Sequence, residues 1–416
     1  MSMNTFEQPH EGPAESADRW QTTQRVRTVG VSGAGVMGEG ITRRCLQAGL
    51  DVCLHDVDSA RVSRISGELS LLPARLRAIN SVHDFAATDL VIEAIPEDLR
   101  LKRQWLTDVE SVLPPQTLIA TNTSCLPLTS LTEVLRHPER LCGLHFCHPV
   151  VQRPLIEVVR GADTSADTVA RALLFSRDIG KTPIVVGDGP GFVLNRLLSL
   201  YLTEALELLL EGVELQTLDV VATGLGMPLG PLQQLDAFGL ELALAVGRRL
   251  WEAFPKRWVP SELLIALCKA TRRDEFLDRR LYVAADSDGT TGRSMTLHPR
   301  AASILRERTR ASRRLSIAEI ERRLWLPMLL ETPRILDAGL VGGWAEIDRI
   351  LELGLGMPPG GLALERRASV GEQQLQRWLS PLQSLGGRFV PGPEFGQWLC
   401  AADARQTAGR SERAAA

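Results

Sequence analysis

The run Val29-Gly30-Val31-Ser32-Gly33-Ala34-Gly35-Val36-Met37-Gly38 constrains the fold more than any other part of this 416-residue chain. Three of its glycines stand in the order Gly-x-Gly-x-x-Gly, between an apolar strand pattern and a helical one from Ile41 to Leu50. Gly33 permits a tight turn, Gly35 lets a pyrophosphate approach the backbone, and Gly38 lets the helix lie against the sheet. Backbone N–H groups at the start of that helix, around Val36 and Met37, would face the phosphates. A second strand pattern, Asp51-Val52-Cys53-Leu54-His55-Asp56, ends in an acid 18 residues after Gly38. A carboxylate there can accept both ribose hydroxyls of an adenosine and would repel a 2′-phosphate, so the expected dinucleotide is NAD and not NADP.

The pattern after this turn keeps alternating. One helical region is expected from Ser59 to about Ile79, interrupted by Gly67 and Pro73, then a buried strand at Asp89–Ala94 and a two-faced helix at Leu99–Val112. Further strands are expected at Thr117–Thr121, Leu141–Phe146, Leu155–Val159 and Thr182–Val186. Strands alternating with helices predict a mostly parallel, doubly wound sheet of Rossmann type. The chain is long enough for two or three domains with separate cores, and 44% of it is hydrophobic. A net charge of −3 recommends neither a nucleic-acid partner nor an anionic membrane surface. The most apolar helix pattern, Leu197–Leu210, carries Glu204 and Glu207 and is not a membrane span. Seven scattered cysteines with no Cys-x-x-Cys, and no basic-then-apolar leader, favour free thiols in a reducing cytoplasm.

At Asp188-Gly189-Pro190-Gly191 the strand period gives way to a helical one. A long helix is expected from Phe192 to Leu210, with Pro190 before it and Gly212 after it as start and stop signals. This helical half contains a repeat. Gly224-Leu225-Gly226-Met227-Pro228 recurs unchanged as Gly354-Leu355-Gly356-Met357-Pro358, 130 positions later, and Leu202-Thr203-Glu204 has its counterpart in Leu329-Leu330-Glu331. Ser316-Ile317-Ala318-Glu319 reads as a capping box opening the second copy, and the charge-rich Pro255–Arg314 stretch as connecting loops. The domain plan is therefore a loose tail (1–25), a dinucleotide-binding α/β domain (26–187), and two tandem all-α domains. The first helical copy with its connector covers 188–310, the degenerate second copy 311–402, and a tail 403–416.

Hydride transfer from an alcohol needs a base for the hydroxyl proton, and histidine titrates in the right range. His145 follows a strand pattern and so stands at a strand end, where α/β sheets place ligands. Glu157 lies in the next apolar run, where an unpaired carboxylate would be costly. Pairing the two would satisfy the carboxylate, fix the imidazole tautomer and stabilise the imidazolium formed in the reaction. Ser124, at a strand end within Asn122-Thr123-Ser124, and Asn195, one turn into the long helix, could orient the reacting oxygen from opposite walls of an interdomain cleft. Cys142, His145, Cys147 and His148 look superficially like a metal cluster. Strand alternation sends neighbours to opposite faces, so no metal is expected.

These residues carry a family resemblance. Gly30–Gly38, Val91-Ile92-Glu93-Ala94-Ile95, Asn122-Thr123-Ser124, Gly143-Leu144-His145-Phe146 with Pro149-Val150, Leu155-Ile156-Glu157-Val158, and Gly189-Pro190-Gly191-Phe192 with Asn195-Arg196 appear in order. Residues 26 to 240 resemble the L-3-hydroxyacyl-CoA dehydrogenases, and the repeated helical unit resembles the dehydrogenase half of the multifunctional fatty-acid oxidation proteins, without a hydratase half. The resemblance implies NAD-dependent oxidation of an (S)-3-hydroxyacyl-CoA, or its reverse. It implies His145 as catalytic base, Glu157 as its partner, and Ser124 and Asn195 on the substrate oxygen. Gly33, Gly35, Val36, Met37, Gly38, Asp56 and Asn122 would serve the cofactor, and Glu97 would lie near the nicotinamide.

Departures from the family pattern keep two alternatives open. His148 replaces the usual Asn, the segment between Asp56 and Asp89 is short where relatives grip CoA, the closing segment around Thr271–Tyr282 is not evident, and Met357-Pro358-Pro359-Gly360-Gly361 lacks the usual Phe-Arg. One alternative is a dehydrogenase of a 3-hydroxy acid without CoA or of a carrier-protein thioester. The other is a catalytically weak NAD-binding or interaction protein. Single-copy relatives are expected to pair through the helical domain. A tandem copy would cover that face, predicting a monomer or a weak homodimer.

Overall fold

The computed structural model describes residues 25–273, 280–284, 295–310, 314–364, 367 and 370–396. Both expected tails lie outside the described residues, apart from Arg25. The chain divides into two compact units, Met1–Phe192 with Gly339–Gly342, and Val193–Ala338 with Gly343–Ala416. Among the described residues no helix is long and apolar enough to cross a membrane.

The first unit is the expected doubly wound sheet, with eight strands in the order β3-β2-β1-β4-β5-β6-β7-β8. Strands β1 (Thr28–Ser32), β2 (Asp51–His55), β3 (Leu76–Ala78), β4 (Leu90–Glu93), β5 (Leu118–Thr121) and β6 (Leu141–Phe146) run parallel. Strand β7 (Leu155–Arg160) is antiparallel to β6, and β8 (Thr182–Gly187) is parallel to β7. The central strands are buried on both faces, which is why they read as continuous apolar runs. The longer helices of the unit are α1 (Val36–Gln47), α2 (Ser59–Leu69), α3 (Leu99–Glu110) and α4 (Ala166–Asp178). Three of them begin at a side chain that satisfies an orphan N–H: Asp58 for α2, Asp98 for α3 and Ser165 for α4.

Two expectations are corrected here. The stretch 59–79 is not one broken helix: α2 ends at Leu69, and Leu76–Ala78 pairs as an edge strand with Val52–Leu54. Pro73 bars helix continuation, and a three-residue edge is too short to show a period. The long helix starts at Leu194, two residues later than expected, because Phe192 adopts a left-handed backbone, φ 49°.

The second unit is helical: α5 (Leu194–Leu210), α6 (Leu215–Gly224), α7 (Pro231–Phe238), α8 (Leu240–Ala253), α9 (Glu262–Arg272), α10 (Pro299–Arg308), α11 (Ile317–Asp337), α12 (Trp344–Leu355) and α13 (Glu372–Leu379). The capping box at Ser316 and Glu319 forms and opens α11. Pro255–Arg314 is more ordered than expected. It holds α9, which buries Leu263, Leu267 and Ala270, then α10, and a small hairpin, β9 (Tyr282–Ala284) with β10 (Met295–Leu297). On α9 the charged Glu262, Lys269 and Arg272 are exposed, away from that apolar face.

The repeat has a structural counterpart. Helices α5 and α11 carry Arg and Glu at the same spacing, Arg196 with Glu204 and Arg323 with Glu331, and the pairs are exchanged between the helices. Arg196 donates to Glu331 at 2.6 Å, and Arg323 pairs with Glu204 at 2.5 Å. Each buried carboxylate has a further guanidinium, Arg257 on Glu331 at 2.6 Å and Arg388 on Glu204 at 2.5 Å. Glu204 and Glu331 are fully buried, so these bonds replace their hydration.

Candidate active site

The site in the first unit lies beyond the carboxyl ends of β1, β2, β4, β5 and β6. The strand order reverses between β1 and β4, the place where doubly wound sheets bind dinucleotides. Gly33 has φ 107°, and a Cβ there would overlap the Ala94 carbonyl. A Cβ on Gly38 would overlap the Gly33 carbonyl oxygen. Gly35 is different: no atom lies within 4 Å of the point where its Cβ would stand, so the space above it is open. Gly35 is also the N-cap of α1 and supplies no side chain to the first-turn N–H groups. Open space over uncapped amides fits a pyrophosphate.

Asp56, at the end of β2, is held by two backbone donors, Ala34 N–H at 2.5 Å and Asp58 N–H at 2.8 Å. Its carboxylate retains acceptor capacity for ribose hydroxyls. A dinucleotide bound in the manner of doubly wound sheets would set its adenosine half over β2 and its nicotinamide half over β4, β5 and β6. Val36 is 70% exposed at the α1 start and Met37 is partly buried against the core.

On that second side the polar residues form one network. Glu93, at the end of β4, accepts from Lys102 Nζ at 2.6 Å, Thr121 Oγ1 at 2.6 Å and the Ile95 N–H at 2.8 Å. Glu97 accepts from Thr123 Oγ1 at 2.5 Å and from the N–H groups of Ser124 and Cys125 at 2.9 and 3.0 Å. Lys102, on α3, lies 3.2 Å from the other Glu97 oxygen. Burial pushes the Glu97 carboxyl up, but the Lys102 ammonium and the bonds from Thr123 and Ser124 outweigh it and hold the group below its ordinary range. Asn122 is buried and its Oδ1 accepts the Phe146 N–H at 2.9 Å, joining the end of β5 to that of β6.

His145 and Glu157 are direct cross-strand partners in the antiparallel β6–β7 register. Opposed residues share a face of the sheet. Their side chains meet at 2.6 Å, His145 Nδ1 to Glu157 Oε2, with Glu157 wholly buried and His145 4% exposed. An ionised carboxylate only accepts, so in the neutral imidazole Nδ1 carries the proton and Nε2 is the basic nitrogen.

Two supporting residues escaped the sequence reading. The buried Phe192 ring packs on the His145 ring at 5.5 Å between centroids. Its left-handed backbone is the signal, and it follows Gly191, φ 71°. Lys181 donates to the carbonyls of Val150, Val151 and Arg153, fastening the loop that follows His148. Cys147 is buried, and burial first, then Glu157, push its thiol far up, which removes it as a nucleophile. Asn195 stands in the second unit, buried in the first turn of α5.

Comparison with known proteins identifies the family of both halves of the chain. Residues 28–189 match the 3-hydroxyacyl-CoA dehydrogenase NAD binding domain, and residues 191–282 match the C-terminal domain of the same family. The alpha subunit of a fatty acid oxidation complex from Pseudomonas aeruginosa is 29% identical over 89% of this chain, which spans 55% of that relative's length. The crystal structure of 3-hydroxybutyryl-CoA dehydrogenase from Escherichia coli K12 superposes with a TM-score of 0.73 at 25% identity, covering 92% of this chain and all of that one. A (S)-3-hydroxybutyryl-CoA dehydrogenase from Ralstonia eutropha is 35% identical, with a TM-score of 0.54 over 59% of this chain and 94% of its own. The domain that binds the dinucleotide is thus an NAD-binding one, and the chain belongs to the 3-hydroxyacyl-CoA dehydrogenase family of NAD-dependent oxidoreductases.

Proposed function

We propose that this protein interconverts an (S)-3-hydroxyacyl-CoA and the 3-oxoacyl-CoA, with NAD as hydride carrier. The observation that carries the reading is the buried His145–Glu157 pair at the end of β6, on the nicotinamide side of the sheet. In the oxidative direction His145 Nε2 takes the substrate hydroxyl proton, and Glu157 stabilises the imidazolium. Bound NAD supplies the hydride acceptor. Ser124 and Asn195 orient the reacting oxygen, and Asp56 with the Gly33–Gly38 turn anchors the dinucleotide. The test is reduction of acetoacetyl-CoA by NADH with the purified protein and with His145→Ala. No turnover by the natural sequence, or an undiminished variant, overturns the proposal.

A second reading, a 3-hydroxy acid without CoA or a carrier-protein thioester, draws on the segment after Asp56. It holds one helix, α2, and a three-residue strand. Rates on CoA, pantetheine and free-acid substrates separate the two, because a CoA grip in use predicts a large drop in kcat/KM on truncation. The reciprocal Arg–Glu pairing of α5 with α11 supports a protein that is monomeric or only weakly dimeric.

A further inference from the structure

The second unit holds a cavity that the proposed chemistry leaves without a role. It lies among α5, α7, α8 and α9 and belongs wholly to that unit, whereas His145, Glu157 and the glycine turn belong to the first. Leu202 and Leu206 of α5, Phe238 at the end of α7, Val246 of α8 and Leu264 of α9 give it apolar walls. The centre of a methyl-sized group can range over about 30 Å³ inside, more than one ordered water needs.

Two polar side chains in the wall lack the partners such groups normally take. Ser261 is the N-cap of α9, a position where a serine oxygen ordinarily accepts a first-turn N–H, yet it makes no such bond. Its Oγ is buried and, among the described residues, has no hydrogen-bond partner; the same holds for Trp258 Nε1. Trp258 is 2% exposed and Ser261 3%. The indole is held in place by the Phe254 ring, 5.3 Å between centroids, and by the Arg257 guanidinium at 5.1 Å, so its N–H does not swing out to water. Buried donors are costly when nothing accepts from them.

Gly247 shows that the space is left open in the sequence itself. It stands inside α8, where glycine is among the poorest helix formers, and no atom of another element lies within 4 Å of the point where its Cβ would stand. Neither a turn nor a close approach calls for glycine there. What the missing side chain leaves is room at the wall of the cavity.

The chemistry of the wall selects an occupant. Apolar surface takes a hydrocarbon chain, the Trp258 N–H can only donate, and the Ser261 hydroxyl can donate as well. A carboxylate beside them would be buried without a cation of its own. Arg257 is committed to both oxygens of Glu331, and Arg248, the charged residue in the lining, is 75% exposed and gives its Nε to Glu252. We propose that this cavity is a second ligand site, for a short aliphatic molecule bearing a neutral hydroxyl or carbonyl oxygen that Trp258 and Ser261 hold. The site does not depend on the dehydrogenase reading above.

The test follows the Trp258 indole N–H resonance in the full-length protein, identified by its loss in Trp258→Phe or, if that variant does not fold, in Trp258→Tyr. The protein is titrated with 1-butanol, butanone and sodium butyrate. The two neutral probes should shift the resonance saturably in the millimolar range, and butyrate should bind about tenfold more weakly or not at all. Ser261→Ala, which removes no capping bond, should weaken the neutral probes about threefold to tenfold. Gly247→Leu fills the space and should abolish the shift; if it does not fold, Gly247→Ala carries the arm with weakened binding. A resonance unmoved by either neutral probe would mean that the cavity holds ordered water only and overturns the proposal. So does a shift that persists in a folded Gly247→Leu, undiminished affinity in Ser261→Ala, or butyrate binding as tightly as 1-butanol.

Discussion

Replacing Glu157 by Gln keeps the volume and a hydrogen-bonding group on the buried face of β7 but removes the charge opposite His145. The loss is felt where the imidazolium forms, so it falls on the transition state and not on the resting enzyme. Two unit charges at the observed 2.6 Å interact by about 6 kcal/mol with an effective dielectric constant near 20. Both charges are delocalised, one over a ring and one over two oxygens, and an effective separation nearer 4 Å lowers this to about 4 kcal/mol. The amide recovers about 1 kcal/mol as a neutral acceptor. The net loss of about 3 kcal/mol corresponds to a fall in kcat on the order of a hundredfold. Steady-state oxidation of (S)-3-hydroxybutyryl-CoA by NAD, the direction in which the imidazolium forms, measures it, with the affinity for NADH as control, because Glu157 is remote from the Gly33–Gly38 turn in chain and sheet position. A Glu157→Gln protein that folds, binds NADH and keeps kcat within about threefold of the natural value would show that the pair is structural and that the charge argument is wrong.

Gly38→Ala should weaken NADH binding on the order of a hundredfold or prevent folding, because the new Cβ overlaps the Gly33 carbonyl in the turn itself; a fluorescence titration with NADH reads this, and natural affinity would refute it. Phe192→Leu should lower kcat about tenfold with NADH affinity retained, since it removes the ring that packs on His145, and an unaltered kcat would remove Phe192 from the site. Arg323→Met leaves the buried Glu204 with a single guanidinium and should cost about 3–5 kcal/mol in denaturant unfolding, whereas Arg248→Met, at an exposed pair, should change stability little. Light scattering should give a mass near the 45.6 kDa of one chain or a weak, concentration-dependent dimer, and a tight obligate dimer would contradict the reading of the helical repeat.

Much of the first unit was legible because each element carries a local signature. A strand buried on both faces must be a continuous apolar run, as in Leu90–Glu93 and Leu141–Phe146, and a phosphate turn must have glycine where a Cβ would collide, as at Gly33 and Gly38. The edge strand Leu76–Ala78 and the ordered helices within Pro255–Arg314 were not legible, the first for want of length and the second because surface charge hid an amphipathic period. Among the site residues, His145 and Glu157 could be proposed as partners from the cost of burying a lone carboxylate, but not their register. The connection from Phe146 to Leu155 is too short for a parallel crossover, a sign of the antiparallel pair that the alternating pattern masked.

Composition and spacing alone thus determined a nucleotide turn, an acid closing the second strand, a doubly wound sheet and a recurring helical segment, since these depend on steric and periodic rules that act within a few residues. Tertiary structure decided what no spacing encodes: that β7 turns back to set Glu157 against His145, that Phe192 lies on that ring, that Lys102 joins Glu93 to Glu97, and that the Arg–Glu pairs of α5 and α11 are exchanged. Each of these joins residues distant along the chain or on different elements, and buried charges choose partners by proximity in the fold, where water no longer competes.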